Sequence, residues 1–420
     1  MNPLIKELKE RGLISQTFGN LEECFSKPTT FYLGLDPTSD SLGVHHMVGL
    51  VVAKIMQQYG HKPIILVGGA TCAIGDPSGK SEERKAISMD TVFHNVECVK
   101  KQISRIIDFD SNESNTAIMV NNWDWYKDYK FLDFIRDVGK KITVNYLMAK
   151  ENVRKRLERE GSGISFQEFS YGLLQGYDFV HLYKEYGCRL QIAGTDNLGN
   201  MVTGQDLVHK MLGKDDVCGL TWDLITCADG RKFGKTEGNA LWLDKNKTSS
   251  YELYQYLINL EDSMIIEYLK KLTFLSKEEI EEIEKRHNEN PGLREAHKIL
   301  AREVITDIHG KEEYEKALKL SQVLFSGDIK ELTSKEIEEV FKGVPTYETE
   351  PGKTLIDVLV ESHAASSKRE AREFINNGAI SINGDVVKDE NCLIDNSKAI
   401  DDKYIAIRRG KKKYYLIILK

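Results

Sequence analysis

Up to about residue 226 the chain alternates short apolar runs with longer stretches of helical period. Residues 30–35 (Thr-Phe-Tyr-Leu-Gly-Leu), 63–67, 116–120 and 189–193 read as β-strands, while 46–58 and 168–186 carry helix-length apolar patterns. Strands separated by helices need crossover connections, so this part is expected to be an α/β domain with a mainly parallel sheet. From about 249 to 325 the strands vanish and helices follow one another, including 276–287 and 293–308, broken at Asn290-Pro291-Gly292. Residues 342–352 read as a linker. Two short helices (355–362 and 368–377) then precede β-like runs at 404–407 and 414–419. The expected organisation is an α/β domain over 1–226, a helical domain over 227–335, a linker over 336–352 and a small α+β module over 353–420.

Composition fits that picture. With 420 residues and 41% hydrophobic content the chain is long enough for two or three cores. It has no uninterrupted apolar stretch near ~18 residues, and its first residues alternate charged and apolar positions without a leader's apolar core, so a soluble cytoplasmic protein is expected. Seven scattered cysteines, never in a Cys-x-x-Cys pair, suggest free thiols and no metal site. Charge is uneven. From Pro351 onward there are 13 lysines and arginines against 10 acids, in a chain whose net charge is −7. The sharpest cluster, Arg408-Arg409-Gly410-Lys411-Lys412-Lys413, lies between the last two β-like runs, where a basic hairpin tip suits a phosphate backbone.

Several segments carry candidate chemistry. After the first strand come Asp36-Pro-Thr-Ser-Asp and then Gly43-Val44-His45-His46, with the two histidines opening a helix, where unpaired N–H groups already favour an anion. A glycine-rich loop, Gly68-Gly69-Ala70-Thr71-Cys72-Ala73-Ile74-Gly75-Asp76-Pro77-Ser78-Gly79-Lys80, follows the second strand, with Arg84 beyond it. It is not a Walker A loop, because Gly75 and Gly79 enclose three residues where four are needed, and the segment from Gly230 to Thr236 misses in the same way. That segment, Asp229-Gly-Arg-Lys-Phe-Gly-Lys-Thr236, sets Lys232 and Lys235 three apart in a turn suited to a triphosphate. Tyr171, Gln175 and Asp178 fall on one face of the 168–186 helix among apolar neighbours, and buried polar groups need partners. Residues 191–200 end a strand and open a helix, the kind of strand end that lines ligand crevices in open α/β sheets.

The order of these segments, the Lys-Phe-Gly-Lys-Thr loop and the basic C-terminal module resemble the bacterial-type tyrosyl-tRNA synthetases over essentially the whole chain. The resemblance implies a class I aminoacyl-tRNA synthetase, typically a homodimer, with a Rossmann-like catalytic domain, a helical domain and a C-terminal S4-like RNA-binding domain. Its implied substrates are L-tyrosine, ATP with Mg2+, and tyrosine tRNA, with no tightly bound cofactor. Tyr32 and Asp178 match the pair that meets the tyrosine phenol, and Asp76, Tyr171 and Gln175 match the residues around its ammonium group. Asp36, Thr38, His46, Gly194 and Asp196 match positions around ATP, and His45, where the family has glycine, is expected beside them. Lys80, Arg84, Lys232, Lys235 and Thr236 match the groups that clasp the pyrophosphate. Lys368, Arg369, Arg372, Arg408, Arg409, Lys411, Lys412 and Lys413 are the expected RNA-facing cations.

The chain departs from the family pattern in three places. His-Ile-Gly-His aligns onto Gly43-Val44-His45-His46, Asp-Gln-Trp-Gly onto Asp196-Asn197-Leu198-Gly199, and Leu33 stands where a cysteine is common. Weakened activation is expected from the first of these. Two further readings follow: a paralogue activating tyrosine or a ring-modified analogue, and an RNA-binding protein whose synthetase site has decayed. The second predicts loss of the lysine loop and of the tyrosine pocket, and both are present.

Overall fold

The run Thr-Phe-Tyr-Leu-Gly-Leu forms a strand over Thr30–Leu35 (β2), at the centre of a six-stranded sheet in the computed structural model of the chain. The structure describes residues 1–76, 87–158, 163–235, 240–410 and 413–420. The other strands are β1 (Thr17–Phe18), β3 (Lys62–Val67), β4 (Ile118–Asn121), β5 (Leu190–Gly194) and β6 (Cys218–Trp222), in the order β1-β6-β5-β2-β3-β4. All pair in parallel except the short edge strand β1. Phe31, Tyr32, Leu33, Ile64, Ile65 and Ile192 are all buried, as continuous apolar strands covered on both faces should be. Strand order reverses where β2 lies between β5 and β3. Crevices open beyond the carboxyl ends of the strands at such a point.

Packing divides the chain into two units, residues 1–248 with 258–308, and 249–257 with 309–420. The helices expected as one domain over 227–335 are therefore shared between them. Apolar faces decide this: Leu320, Val323, Ile329, Leu332, Ile337 and Phe341 bury against Ile400, Tyr404, Ala406 and Leu416 of the second unit. That unit is built on a five-stranded sheet in the order Asp385–Val386, Ile380–Ile382, Tyr404–Arg409, Lys413–Leu419, Thr346–Thr349. The expected linker over 336–352 is thus corrected. Ser334–Val340 is helical and Thr346–Thr349 pairs in parallel with Lys413–Leu419, because Thr-Tyr-Glu-Thr is a β-favouring run bounded by Gly343 and Pro351-Gly352. The helices Leu355–Glu361 and Lys368–Asn376 cover the other face of this sheet through Leu355, Val358, Leu359, Ala371 and Ile375. Among the described residues no helix is long and apolar enough to cross a membrane.

Candidate active site

A cavity of about 280 Å³ lies in the first unit, lined by residues of β2 and the turn after it, the start of the helix Met47–Gln58, the helix Phe166–Tyr186, the end of β5, and Lys232. Most of the expected site residues meet here. Tyr32, Asp36, Thr38, His45, His46, Asp76, Tyr171, Gln175, Asp178, Gly194, Asp196 and Lys232 all line it. Leu33 and Asn197, two of the departures from the family pattern, are also on its wall.

The buried part is acidic and pre-bonded. The helix Phe166–Tyr186 starts on a Ser165 cap and ends on Gly187 in the left-handed region, so Tyr171, Gln175 and Asp178 share one face over two turns. Asp178 is 1% exposed and accepts from Asn122 Nδ2 at 3.1 Å and Trp125 Nε1 at 3.0 Å. Burial pushes its carboxyl up to about 7 against the pull of those hydrogen bonds. Tyr32 packs edge-on to Phe179 at 5.4 Å, and its buried phenol oxygen has no hydrogen-bond partner among the described residues. Gln191 lies beside Tyr32 in register on β5, and its buried Oε1 is in the same condition. Burial, and then the charge of Asp178, hold the Tyr32 phenol well above its ordinary range, so it stays protonated.

A chain of hydrogen bonds runs from this pair across the cavity wall. Asn122 Nδ2 also donates to Thr71 Oγ1 at 3.0 Å, Thr71 Oγ1 donates to Asp36 Oδ1 at 2.7 Å, and the Tyr171 hydroxyl donates to Asp36 Oδ2 at 2.7 Å. The amide of Asn122 is oriented by the Ala70 N–H, which donates to its Oδ1 at 2.8 Å. Only glycine fits at 68, where a Cβ would fall 2.1 Å from Asp36 Oδ1 and 2.2 Å from Thr71 Oγ1. Asp36, expected beside ATP, is therefore engaged with Tyr171. Burial holds the Tyr171 hydroxyl far above its usual range, and Asp36, Asp76 and Asp178 add to that effect, so three carboxylates converge on this wall. Gln175 Oε1 accepts from Asn200 Nδ2 at 2.9 Å and keeps a second lone pair. Thr71, Asn122, Trp125 and Asn200 were not singled out from the sequence. Asn122 directly follows β4, and that strand-end position was the available signal.

The exposed part of the cavity has the groups suited to a nucleotide. Val44–His46 forms a single tight turn leading into the helix Met47–Gln58. His46 Nδ1 lies 3.1 Å from both the N–H and the carbonyl oxygen of Gly43, so the backbone of that residue orients the ring; burial lowers the pKa of this imidazole and so keeps it neutral. Asp196 is exposed above Gly194, where a Cβ would lie 2.7 Å from its Oδ1. Asn197 Nδ2 donates to that same oxygen at 3.2 Å. The lysine loop is anchored by Phe233, fully buried and 4.9 Å from the ring of Tyr268. Lys232 and Lys235 are exposed, and Lys232 alone of the two lines the cavity. Lys80, Arg84 and Thr236 lie outside the described residues.

In the second unit the expected RNA-facing cations fall into two groups. Lys368 pairs with Asp357 at 2.7 Å, Arg372 with Glu390 at 3.4 Å, and Arg408 donates to Ser381 Oγ at 3.2 Å. Arg409 donates to the Ala364 carbonyl and covers the rings of Phe374 and Tyr415. Arg369 and Lys413 are exposed, with no ion pair among the described residues; Lys411 and Lys412 lie outside them. Away from the cavity, Asp262, His287 and His297 bring potential ligand atoms within 4.8 Å of one another. His297 Nε2 sits 2.9 Å from the Leu260 carbonyl and 3.3 Å from Arg294 Nη2, so local hydrogen bonds and a guanidinium already fill that cluster.

Comparison with known proteins places the whole chain. The family model described as tRNA synthetases class I (W and Y) matches residues 25–326, and that of a tyrosine–tRNA ligase SYY-like C-terminal domain matches 336–417. The chain is 48% identical over 419 residues to tyrosine–tRNA ligase 2 of Enterococcus faecalis, covering 98% of each chain. It is also 48% identical over 418 residues to tyrosine–tRNA ligase of Geobacillus stearothermophilus, covering 99% of each. A C-terminally truncated mitochondrial tyrosyl-tRNA synthetase of Aspergillus nidulans superposes with a TM-score of 0.68 at 30% identity, over 77% of this chain and 95% of that one. The chain belongs to the tyrosyl-tRNA synthetase family of class I aminoacyl-tRNA synthetases.

Proposed function

We propose that this protein is a tyrosine–tRNA ligase, which activates L-tyrosine with ATP to tyrosyl-adenylate and pyrophosphate and then transfers tyrosyl to the 3′-terminal adenosine of tyrosine tRNA. The observation that carries the reading is the buried pair Tyr32 and Asp178, an unpartnered hydroxyl beside a carboxylate, on one cavity wall with Asp36, Asp76 and Tyr171. A phenol hydroxyl donates to Asp178 and accepts from Tyr32, while an ammonium group is met by Asp76, Tyr171 and Gln175. No other common amino acid offers both groups at that separation with an aromatic ring between them.

The tyrosine carboxylate attacks the α-phosphorus of ATP and pyrophosphate leaves. This step needs no protein nucleophile, so the residues act by positioning and by charge stabilisation. Thr38, His46, Gly194 and Asp196 hold the nucleotide. Lys80, Arg84, Lys232, Lys235 and Thr236 meet the negative charge that develops on the departing pyrophosphate. Magnesium enters with ATP as part of the substrate, and no resident metal is proposed. Arg369 and Lys413, with Lys368, Arg372, Arg408, Arg409, Lys411 and Lys412 around them, contact tRNA phosphates in the cytoplasm.

Tyrosine-dependent ATP–pyrophosphate exchange followed by charging of a bacterial tyrosine tRNA tests the reading. Folded protein without exchange overturns it, and exchange without charging favours the paralogue. A homodimer is supported by the exposed apolar side chains Phe131, Leu132, Ile135, Val144 and Met148 on two neighbouring helices. Light scattering should give twice 47.8 kDa, and a single-chain mass would refute the dimer.

A further inference from the structure

Gly43 is buried with φ −76° and ψ 155°, an extended conformation open to any residue, so its backbone does not call for glycine. Its side-chain space does. A Cβ built there would lie 2.7 Å from Cε1 and 2.8 Å from Nδ1 of His45. The backbone is pinned by the Val44 N–H, which donates to the Leu241 carbonyl at 3.0 Å, so it is the ring and not the chain that would have to yield. The His45 ring stands 4.0 Å from that of His46, and both line the cavity. Position 45 thus fills the volume that opens from position 43.

We infer that His45 supplies from position 45 the imidazole that the family pattern places at position 43, donating a hydrogen bond to the phosphate chain of ATP, and that glycine at 43 is its steric counterpart. The two departures are one exchange. The inference rests on the reading of this cavity as an ATP site. An imidazole beside a helix start and next to His46, in a cavity that Lys232 also lines, suits the charged oxygens of a nucleotide.

The test is exchange kinetics on four full-length variants, with tyrosine affinity measured on each as a control for folding. His45→Gly should lower kcat/KM for ATP roughly 10- to 100-fold and leave the KM for tyrosine unchanged. Gly43→Ala, which pushes the ring out without replacing it, should give a similar loss. The double variant Gly43→Ala/His45→Gly should be no worse than either single one, because both remove the same group. Gly43→His/His45→Gly should recover to within about threefold of the parent. An unchanged His45→Gly enzyme, additive losses, or no recovery overturns the inference. A parent protein that performs no tyrosine-dependent exchange overturns the ligase reading instead.

Discussion

Asp178 is held at a point where one unit of pH matters. Burial lifts its carboxyl to about 7, so below neutrality it carries a proton and offers a substrate phenol a weaker acceptor. The KM for tyrosine should therefore rise as pH falls from 8 to 6, while the KM for ATP should not follow it. In Asp178→Asn that slope should vanish, and a retained slope would assign the titration elsewhere. Tyr32 gives a second test in which stability and selectivity separate. Its hydroxyl is buried without a partner, so Tyr32→Phe should hold or slightly raise stability, by about 1 kcal/mol or less, since an unmade hydrogen bond costs desolvation. Discrimination of tyrosine from phenylalanine should fall by roughly tenfold. Urea melts and exchange with both amino acids read the two effects, and a fall in stability would show that the hydroxyl has a partner in the folded protein.

At the scale of elements, what the sequence revealed depended on whether a signal was local. The strand at 30–35, the helix that follows the histidines and the final hairpin were legible because alternation, caps and turn residues are local features. β6 was not, because Cys-Gly-Leu-Thr-Trp is short and carries a glycine, and becomes a strand by pairing with β5. In the same way Asn122 reads as a turn residue in sequence, and its role depends on β3, β4 and the helix Phe166–Tyr186 bringing Ala70, Thr71 and Asp178 around one amide. The residues at 346–349 read as a linker because nothing nearby announces their partner strand, Lys413–Leu419.

The segment entering β3 carries a pH-sensitive joint. His61 is buried against Phe25, its Nδ1 accepts from the Thr29 N–H at 3.1 Å, and burial pulls its pKa down to about 4. The unfolded chain takes up that proton near pH 6.5 and the folded chain only near 4, so this contribution is complete above pH 6.5 and is lost as pH falls. Stability should drop by about 2 kcal/mol between pH 7 and 4.5 from this residue. His61→Asn should flatten that dependence in urea melts at the two values; an equal drop in the variant would assign it to other groups.

For the whole molecule, the residues proposed for nucleotide chemistry and those proposed for RNA contact belong to different packing units, so the two should respond to different perturbations. Arg369→Ala with Lys413→Ala should leave pyrophosphate exchange intact, weaken tRNA binding, and reduce the slope of log affinity against log salt by about one for each cation removed. An unchanged slope would exclude these two side chains from phosphate contact. Because the helices of residues 309–341 bury their apolar side chains against the C-terminal sheet, truncation after Pro351 would expose a core; surface substitution is the cleaner probe.

Neither packing unit is one continuous stretch of chain, and this bears on synthesis. The first unit can close once Ile308 has left the ribosome, but Ser249–Leu257, which interrupts it, belongs with residues 309–420. Leu253, Tyr254 and Leu257, all buried in the finished protein, must wait for those last residues. At ordinary elongation rates that wait is roughly 6–22 s, during which an otherwise complete first unit carries one apolar helix still without its partners, a target for chaperones or for a second nascent chain.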